Sequence, residues 1–146
     1  MMFKFFLPLF VLICCTSFSP TETKLALCNI TVKATGINNA KGIMEFALYN
    51  NSKVFPEVGK TYRLIRKKVS SKEVSVTFVN VPVGKYAACI YHDVNSNNNC
   101  DKNFFGIPTE GYGFSNNIRP VFSAPSFEDC AIYVKADRVV SIKLIY

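Results

Sequence analysis

Beyond residue 25, apolar and polar residues alternate with a period of two through most of the chain. In Leu25 to Thr35 (LALCNITVKAT), Cys28, Ile30, Val32 and Ala34 fall on one face and Asn29, Thr31 and Lys33 on the other, the pattern of a half-buried strand. Ile43 to Asn50 repeats it, with Met44, Phe46 and Leu48 opposite Glu45 and Ala47. The intervening GINNAKG, residues 36–42, is a turn by composition, so these two strands are expected to pair as a hairpin. Asn51 to Lys60 is a loop punctuated by Pro56 and Gly59, and Tyr62 to Val69 reads as a basic edge strand. Glu73 to Val81 alternates again, with Val74, Val76 and Phe78 inward, and Pro82 to Gly84 turns the chain into a strand at Lys85 to His92. Phe104 to Ser126, rich in Gly, Pro and aromatics, is long for a loop, and such loops are usually functional or packed. Ala131 to Val134 and Val139 to Tyr146 are expected to close the domain as a pair across a turn at 135–138. About seven short strands without an amphipathic helix predict an all-β, antiparallel β-sandwich in one domain, residues 20–146.

The N-terminus breaks the pattern. Lys4 is followed by an unbroken apolar run, Phe5 to Cys15, too short to span a bilayer and of the length of a signal-peptide core. Residues 1–19 therefore read as a signal peptide, with the small residues Cys15, Thr16 and Ser17 supplying a cleavage point. A lipoprotein anchored at Cys14 or Cys15 is the alternative, disfavoured by Ile13. Export to the periplasm, the outer envelope or the medium is the expectation, with no transmembrane helix in the mature chain.

Charge and cysteine content narrow the partners. The formal charge is +7, and removal of Lys4 with no acid takes it to +6. A basic exported domain suits anionic partners, but the basic run Lys60, Arg63, Arg66, Lys67, Lys68 and Lys72 has no aromatic platform for bases, which argues against nucleic acid. Four cysteines lie beyond the leader: Cys28, Cys89, Cys100 and Cys130. In an exported chain they are expected to form one or two disulfides, with Cys100–Cys130 and Cys28–Cys89 as the candidate pairs. His92 is the sole histidine and no Cys-x-x-Cys occurs, so structural zinc has no ligand pattern.

Candidate chemistry sits in DVNSNNNCD, where Asp93, Asn95, Asn97, Asn99 and Asp101 place oxygen-bearing side chains at alternate positions. Calcium takes six to eight oxygens, and such a loop can wrap it. Asp93 and Asp101 would be the charged ligands, Asn95 and Asn97 neutral ones, and Asn99 a carbonyl donor. The Gly and the bidentate Glu of the helical calcium loop are replaced by Asn98 and Phe104, so a further acid must come from Glu110, Glu128 or Asp129. The competing reading is that Asn and Asp bond their own backbone and build turns without an ion. Two further readings concern the next segment. Tyr112 and Phe114 beside Asn116 and Asn117 suit a glycan or cell-envelope partner, and His92, Ser115 and Glu110 are the residue types of a hydrolase, without a nucleophile elbow around Ser115. The aromatics Phe104, Phe105, Tyr112, Phe114, Phe122 and Phe127 either line a ligand groove or pin the long loop to the sandwich.

The run His92-Asp93, Asn95, Asn97, Asp101, then Phe105-Gly106-Ile107-Pro108, Glu110 to Asn117 (EGYGFSNN) and Pro125 to Asp129 (PSFED) resembles the bacterial family known as domain of unknown function 2141. The likeness covers the chain from about Leu25. That family usually has Gly where this chain has Ser96 and Asn98, and usually lacks Cys at positions 100 and 130. The resemblance implies an exported β-sandwich of immunoglobulin-like or transthyretin-like (prealbumin-like) kind with no established activity, and it supplies no catalytic residues. The leading expectation is a non-enzymatic protein whose Asp93–Asp101 loop, by binding calcium, orders Phe104 to Phe127 as an interaction surface.

Overall fold

The computed structural model describes residues 26–146, so the expected signal peptide lies outside the described residues. Eight strands form two sheets: β1 (Leu27–Thr35), β2 (Ile43–Tyr49), β3 (Arg63–Lys68), β4 (Val74–Pro82), β5 (Gly84–Asp93), β6 (Gly111–Phe114), β7 (Ala131–Val134) and β8 (Arg138–Lys143). A 3-10 turn spans Ser115–Asn117, and α1 (Phe127–Cys130) is a single helical turn. One sheet has the order β4-β1-β8. The other runs β3-β2-β5-β6, with β7 also paired to β5. Among the described residues no helix is long and apolar enough to cross a membrane.

Alternation places the core. Ile30, Val32 and Ala34 of β1, Phe78 of β4 and Ile142 of β8 share one buried cluster with Met44, Phe46 and Leu48 of β2 and Ala88 and Ile90 of β5. The all-β expectation and the inward faces of β1, β2 and β4 therefore hold, and among the described residues β3 is the basic edge strand, paired only with β2.

Three details of the expected connectivity are corrected. β1 and β2 form no hairpin: β1 pairs with β4 and β8, and β2 with β3 and β5. Both strands bury one apolar face in the same core, and they do so from opposite layers, so the 36–42 turn crosses between sheets. The segment 135–137 crosses in the same way, since β7 joins β5 and β8 joins β1. There, Asp137 accepts from the backbone and side-chain amides of Asn29 at 2.7 and 3.1 Å. The structure is also not purely antiparallel, because β8 runs parallel to β1 from Ile30↔Arg138 to Thr35↔Lys143.

The eighth strand, β6, lies inside the segment expected to be loop. Its sequence, GYGF, shows no apolar alternation because its two glycines answer to close approach. A Cβ on Gly113 would sit 2.7 Å from Ile142 Cγ2, and one on Gly111 2.6 Å from the Tyr146 ring. There the chain after β8 reaches β6, Tyr112 and Ile145 exchanging backbone hydrogen bonds at 2.9 and 2.8 Å.

The five-stranded sheet is covered on both sides. Residues 44–49 of β2 are buried on both faces. The outer face carries a second cluster of Ala47, Tyr49, Ala87, Phe114, Phe127 and Cys130. Phe55, from the loop after β2, packs edge-on against Tyr49, Phe114 and Phe127 with centroids 5.1–6.1 Å apart. Gly42 fixes the entry to β2: its φ is +73°, and a Cβ there would lie 2.1 Å from the Asp93 carbonyl oxygen. Gly42→Ala combines a left-handed backbone with a backbone clash at the start of the Asn-rich loop. It is expected to lower stability by about 2 kcal/mol or more in urea unfolding, whereas an alanine at Gly59, where nothing lies within 4 Å of the added atom, should cost distinctly less.

Candidate functional site

β5 ends at Asp93, whose carboxylate then organises the loop that follows. Asp93 is 2% exposed. Its Oδ1 accepts from the Asn97 backbone at 3.1 Å and its Oδ2 from the Asn98 backbone at 2.8 Å. Asn95 and Asn97 side-chain oxygens accept from the backbones of Asn97 and Asn99 at 3.0 and 2.8 Å. From the far end, Asp101 accepts the side-chain amides of Asn95 at 2.7 Å and Asn97 at 3.1 Å. Ser96 and Asn98 take left-handed φ values of 60° and 66°. The five alternate residues do lie on one small loop, where the side-chain oxygens of Asp93, Asn95, Asn97 and Asp101 accept the loop's own amides and the Asn99 side chain donates to the Asn97 carbonyl. Among the described residues no group of three or more His, Cys, Asp and Glu is gathered to hold a metal ion.

Of the further acids, only Glu110 reaches this loop, and it binds backbone. Its two oxygens accept from Val94 at 2.9 Å and Asp101 at 3.2 Å, clamping the loop's two ends from the residue before β6. Glu128 instead pairs with Lys85, and Asp129 closes a capping box with Ser126 at the start of α1. Beyond Asp101 the chain forms a short arm: Thr109 donates to the Asp101 carbonyl at 2.8 Å, and Lys102 pairs with Pro108. The arm's tip carries Phe104, Phe105 and Gly106.

That arm is one wall of a cleft of about 470 Å³ on the outer face of the five-stranded sheet. The floor is Glu45, Ala47 and Tyr49 of β2, Cys89 and Tyr91 of β5, and Tyr112 and Phe114 of β6. The other walls are Pro56, Val58 and Thr61 from the loop after β2 and residues 120–124 from the loop before α1. Around the opening Val58, Phe105, Ile107, Val121 and Phe122 are exposed, Phe122 fully. The one buried charge on the floor is Glu45, whose Oε2 accepts Arg66 Nε at 2.6 Å, Arg66 Nη2 at 2.5 Å and the Tyr91 hydroxyl at 3.1 Å. Burial, then the Glu45 charge, raises the Tyr91 hydroxyl far above its ordinary range, which keeps it a donor. Arg66 Nη1 donates to Asn98 Oδ1 at 2.5 Å, so one guanidinium joins the cleft floor to the Asn-rich loop.

The remaining candidate residues separate. Tyr112 and Phe114 belong to the cleft floor, Phe114 being buried. Asn116 and Asn117 hold backbone instead: Asn116 donates to the carbonyls of Asp129 and Ala131, while Asn117 accepts from Lys143 at 2.7 Å and donates to Ser141. His92 is fully buried, with Nε2 donating to the Lys41 carbonyl at 2.7 Å and Nδ1 paired with the Tyr146 hydroxyl at 3.0 Å. Ser115 donates to the Cys130 carbonyl at 2.5 Å and accepts from Ala88 at 3.0 Å. His92 lies opposite Gly111, four residues before Ser115, so the two are not brought together.

The disulfide expectation is corrected, because Cys28, Cys89, Cys100 and Cys130 are all free thiols. Cys28 lies in the shared core with Sγ against the Val81 carbonyl at 3.2 Å, whereas Cys89 lines the cleft on the opposite face of the five-stranded sheet. Cys130 is sealed in the outer cluster and Cys100 stands in the cleft wall. Burial pushes the Cys130 thiol up to about 12 and raises Cys89 and Cys100 as well.

With this geometry in view, the relevant family model is the one described as "Uncharacterized protein conserved in bacteria (DUF2141)", which matches residues 32–143. The chain belongs to that family. No curated protein and no solved structure matches it. In this DUF2141 chain, Ser96 and Asn98 hold left-handed φ values, a region that glycine enters without a side-chain penalty. Of the aromatics named from sequence as possible groove residues, Phe105, Tyr112, Phe114 and Phe122 line this cleft. The contribution of Glu45, Ala47 and Tyr49 of β2 and Cys89 and Tyr91 of β5 was missed, because period-two patterning does not show what covers the outward face of a strand.

Three outcomes follow. Glu110→Ala removes the acceptor of two loop-end amides and should cost about 1–3 kcal/mol in urea unfolding, with faster proteolysis between residues 94 and 108. Alkylation in denaturant without reductant should label Cys28, Cys89, Cys100 and Cys130, as read by peptide mass. A thiol raised from 9.0 to about 12, as at Cys130, favours the fold fully below pH 9, and that advantage should be lost as pH climbs from 9 towards 12.

Proposed function

We propose that the chain is a non-catalytic, exported binding module of the cell envelope, an immunoglobulin-like or transthyretin-like sandwich that takes a small apolar ligand in the outer-face cleft. The observation that supports this is the cleft itself. Its volume of about 470 Å³ lies within the range of small-molecule sites, roughly 300–1,000 Å³. Its floor is largely apolar and aromatic, and its opening leaves Val58, Phe105, Ile107, Val121 and Phe122 in water. Exposed apolar side chains gathered around a concavity gain about 25 cal/mol per Å² when a ligand covers them. The Asp93–Asp101 loop, clamped by Glu110, sets the position of the Phe105 wall. A glycan has less to bind, because the Asn116 and Asn117 amides are engaged with backbone.

The probe for this reading is N-phenyl-1-naphthylamine, whose fluorescence rises in apolar sites. Saturable binding is expected, weakened roughly tenfold, about 1.4 kcal/mol, by Ala47→Phe, which fills the floor. Phe122→Ser, at a fully exposed position, should also weaken binding without affecting folding. A folded protein that does not bind the probe, or binds it equally in both variants, would overturn the cleft reading.

A second reading concerns the loop as a calcium site. It is favoured by the convergence of the Asp93 and Asp101 carboxylates and the Asn95 and Asn97 amides on one small loop. Calcium would need those amides to turn their oxygens inward. Thermal unfolding in chelator and then in millimolar calcium should show a saturable rise, absent with magnesium and absent in Asp101→Asn. Asp101 is the better position to vary, because Asp93 also holds two backbone amides and its loss would destabilise the loop with or without the ion. No rise in the wild-type protein would leave the loop as turn chemistry alone.

A further inference from the structure

We propose that Glu45 Oε1 is the polar anchor of the cleft, and that the ligand is an amphiphile with an apolar body and a neutral hydrogen-bond donor at one end. The proposal rests on the cleft reading and adds to it the chemistry that selects the ligand.

Glu45 is 5% exposed, yet all of its bonds fall on one oxygen. Oε2 accepts Arg66 Nε, Arg66 Nη2 and the Tyr91 hydroxyl. Oε1 has no hydrogen-bond partner among the described residues. It is not sealed away either, since no side-chain nitrogen or oxygen among these residues is both fully buried and unpartnered. Glu45 lines the cleft and its free oxygen is not fully buried, so we take that oxygen to face the space the ligand would fill. An acceptor with its lone pairs unused, at the edge of a largely apolar floor, selects a molecule that brings a donor to it.

The charge balance narrows the donor. Arg66 already pairs with the carboxylate through two of its nitrogens, so the ligand need not supply a cation. A carboxylate head is disfavoured, since it would set one anion against another in a site shielded from water. A hydroxyl or amide N–H on an alkyl or aromatic body satisfies both conditions. The penalty for lacking it is the unmade hydrogen bond of a site shaped to accept one, the principle by which enzymes reject analogues without a hydroxyl.

The test is competition against N-phenyl-1-naphthylamine bound to the intact protein, using 2-naphthol, 2-methylnaphthalene and 2-naphthoate. Wild type should be displaced by 2-naphthol at a concentration roughly tenfold lower than by either of the others. Glu45→Met should erase that preference, read as the ratio of the 2-naphthol to the 2-methylnaphthalene displacement concentration within the variant. If thermal unfolding shows that Glu45→Met is not folded, Glu45→Met/Arg66→Met removes both charges together and serves in its place. Equal displacement by 2-naphthol and 2-methylnaphthalene in wild type, or a preference that survives the substitution, would overturn the anchor and leave the cleft reading standing. Failure of wild type to bind N-phenyl-1-naphthylamine at all would overturn both.

Discussion

The backbone of β5 is hydrogen-bonded along both edges, and the rest of the molecule depends on that constraint. β2 pairs with it from Ile43↔Asp93 to Tyr49↔Ala87. On the other edge β7 covers Gly84 to Ala87 and β6 covers Cys89 to His92. A central strand so placed exposes neither edge, and its two rows of side chains must each find cover. The inner row meets the three-stranded sheet. Among the described residues no second sheet meets the outer row, and loops cover it: Phe55 from one side, α1 with Phe127 and Cys130 from another. Where the loops do not meet, the cleft remains. At its C-terminal end the same strand delivers Asp93, which sets the Asn-rich loop and, through Glu110 and the arm, the cleft's wall.

Much of this architecture was legible from the sequence because a period-two pattern reports burial of one strand face directly. The inward sets Ile30, Val32, Ala34 and Met44, Phe46, Leu48 were readable in this way. Which strands pair was not, since β1 and β2 show the same alternation whether they lie side by side or face one another across a core. The glycines of β6 illustrate a second limit. Gly111 and Gly113 looked like loop residues, and only the nearness of Tyr146 and Ile142 explains them. The candidate site divided similarly. Asp93, Asn95, Asn97 and Asp101 did meet in one loop, as alternate spacing in a short segment requires. Glu128 and Asp129, close in sequence to the long segment, were drawn away to Lys85 and Ser126, a matter of tertiary placement on which spacing carries no information.

The thiols show how one sheet can override a compartment argument. The four cysteines beyond the expected leader suggest pairing by number if the chain is exported. The five-stranded sheet, however, separates Cys28 in the inner core from Cys89 on the outer face, and burial makes those on the outer side poor nucleophiles by holding the proton. Cysteine here acts as a small apolar residue, fitting beside Ala47 and Ala87 where a larger side chain would close the cleft.

Glu45 is the residue that stability explains least well. A carboxylate at 5% exposure loses most of its hydration, and an ion pair to Arg66 does little more than offset that loss, which is why apolar replacements of buried pairs are often neutral or stabilising. Its neighbour two residues on, Ala47, shows that the same face of β2 accepts an apolar side chain. Nor is the pair needed to hold β3, whose backbone already pairs with β2 from Ile43↔Lys68 to Leu48↔Arg63. What the pair does supply is a fixed carboxylate with one oxygen committed and one free. Arg66 holds the group from the solvent side and is itself oriented by Asn98 in the Asn-rich loop. The loop, the guanidinium and the carboxylate thus form one chain of hydrogen bonds that reaches the cleft lining, and the oxygen it leaves uncommitted gives the arrangement a use if a molecule in the cleft donates to it.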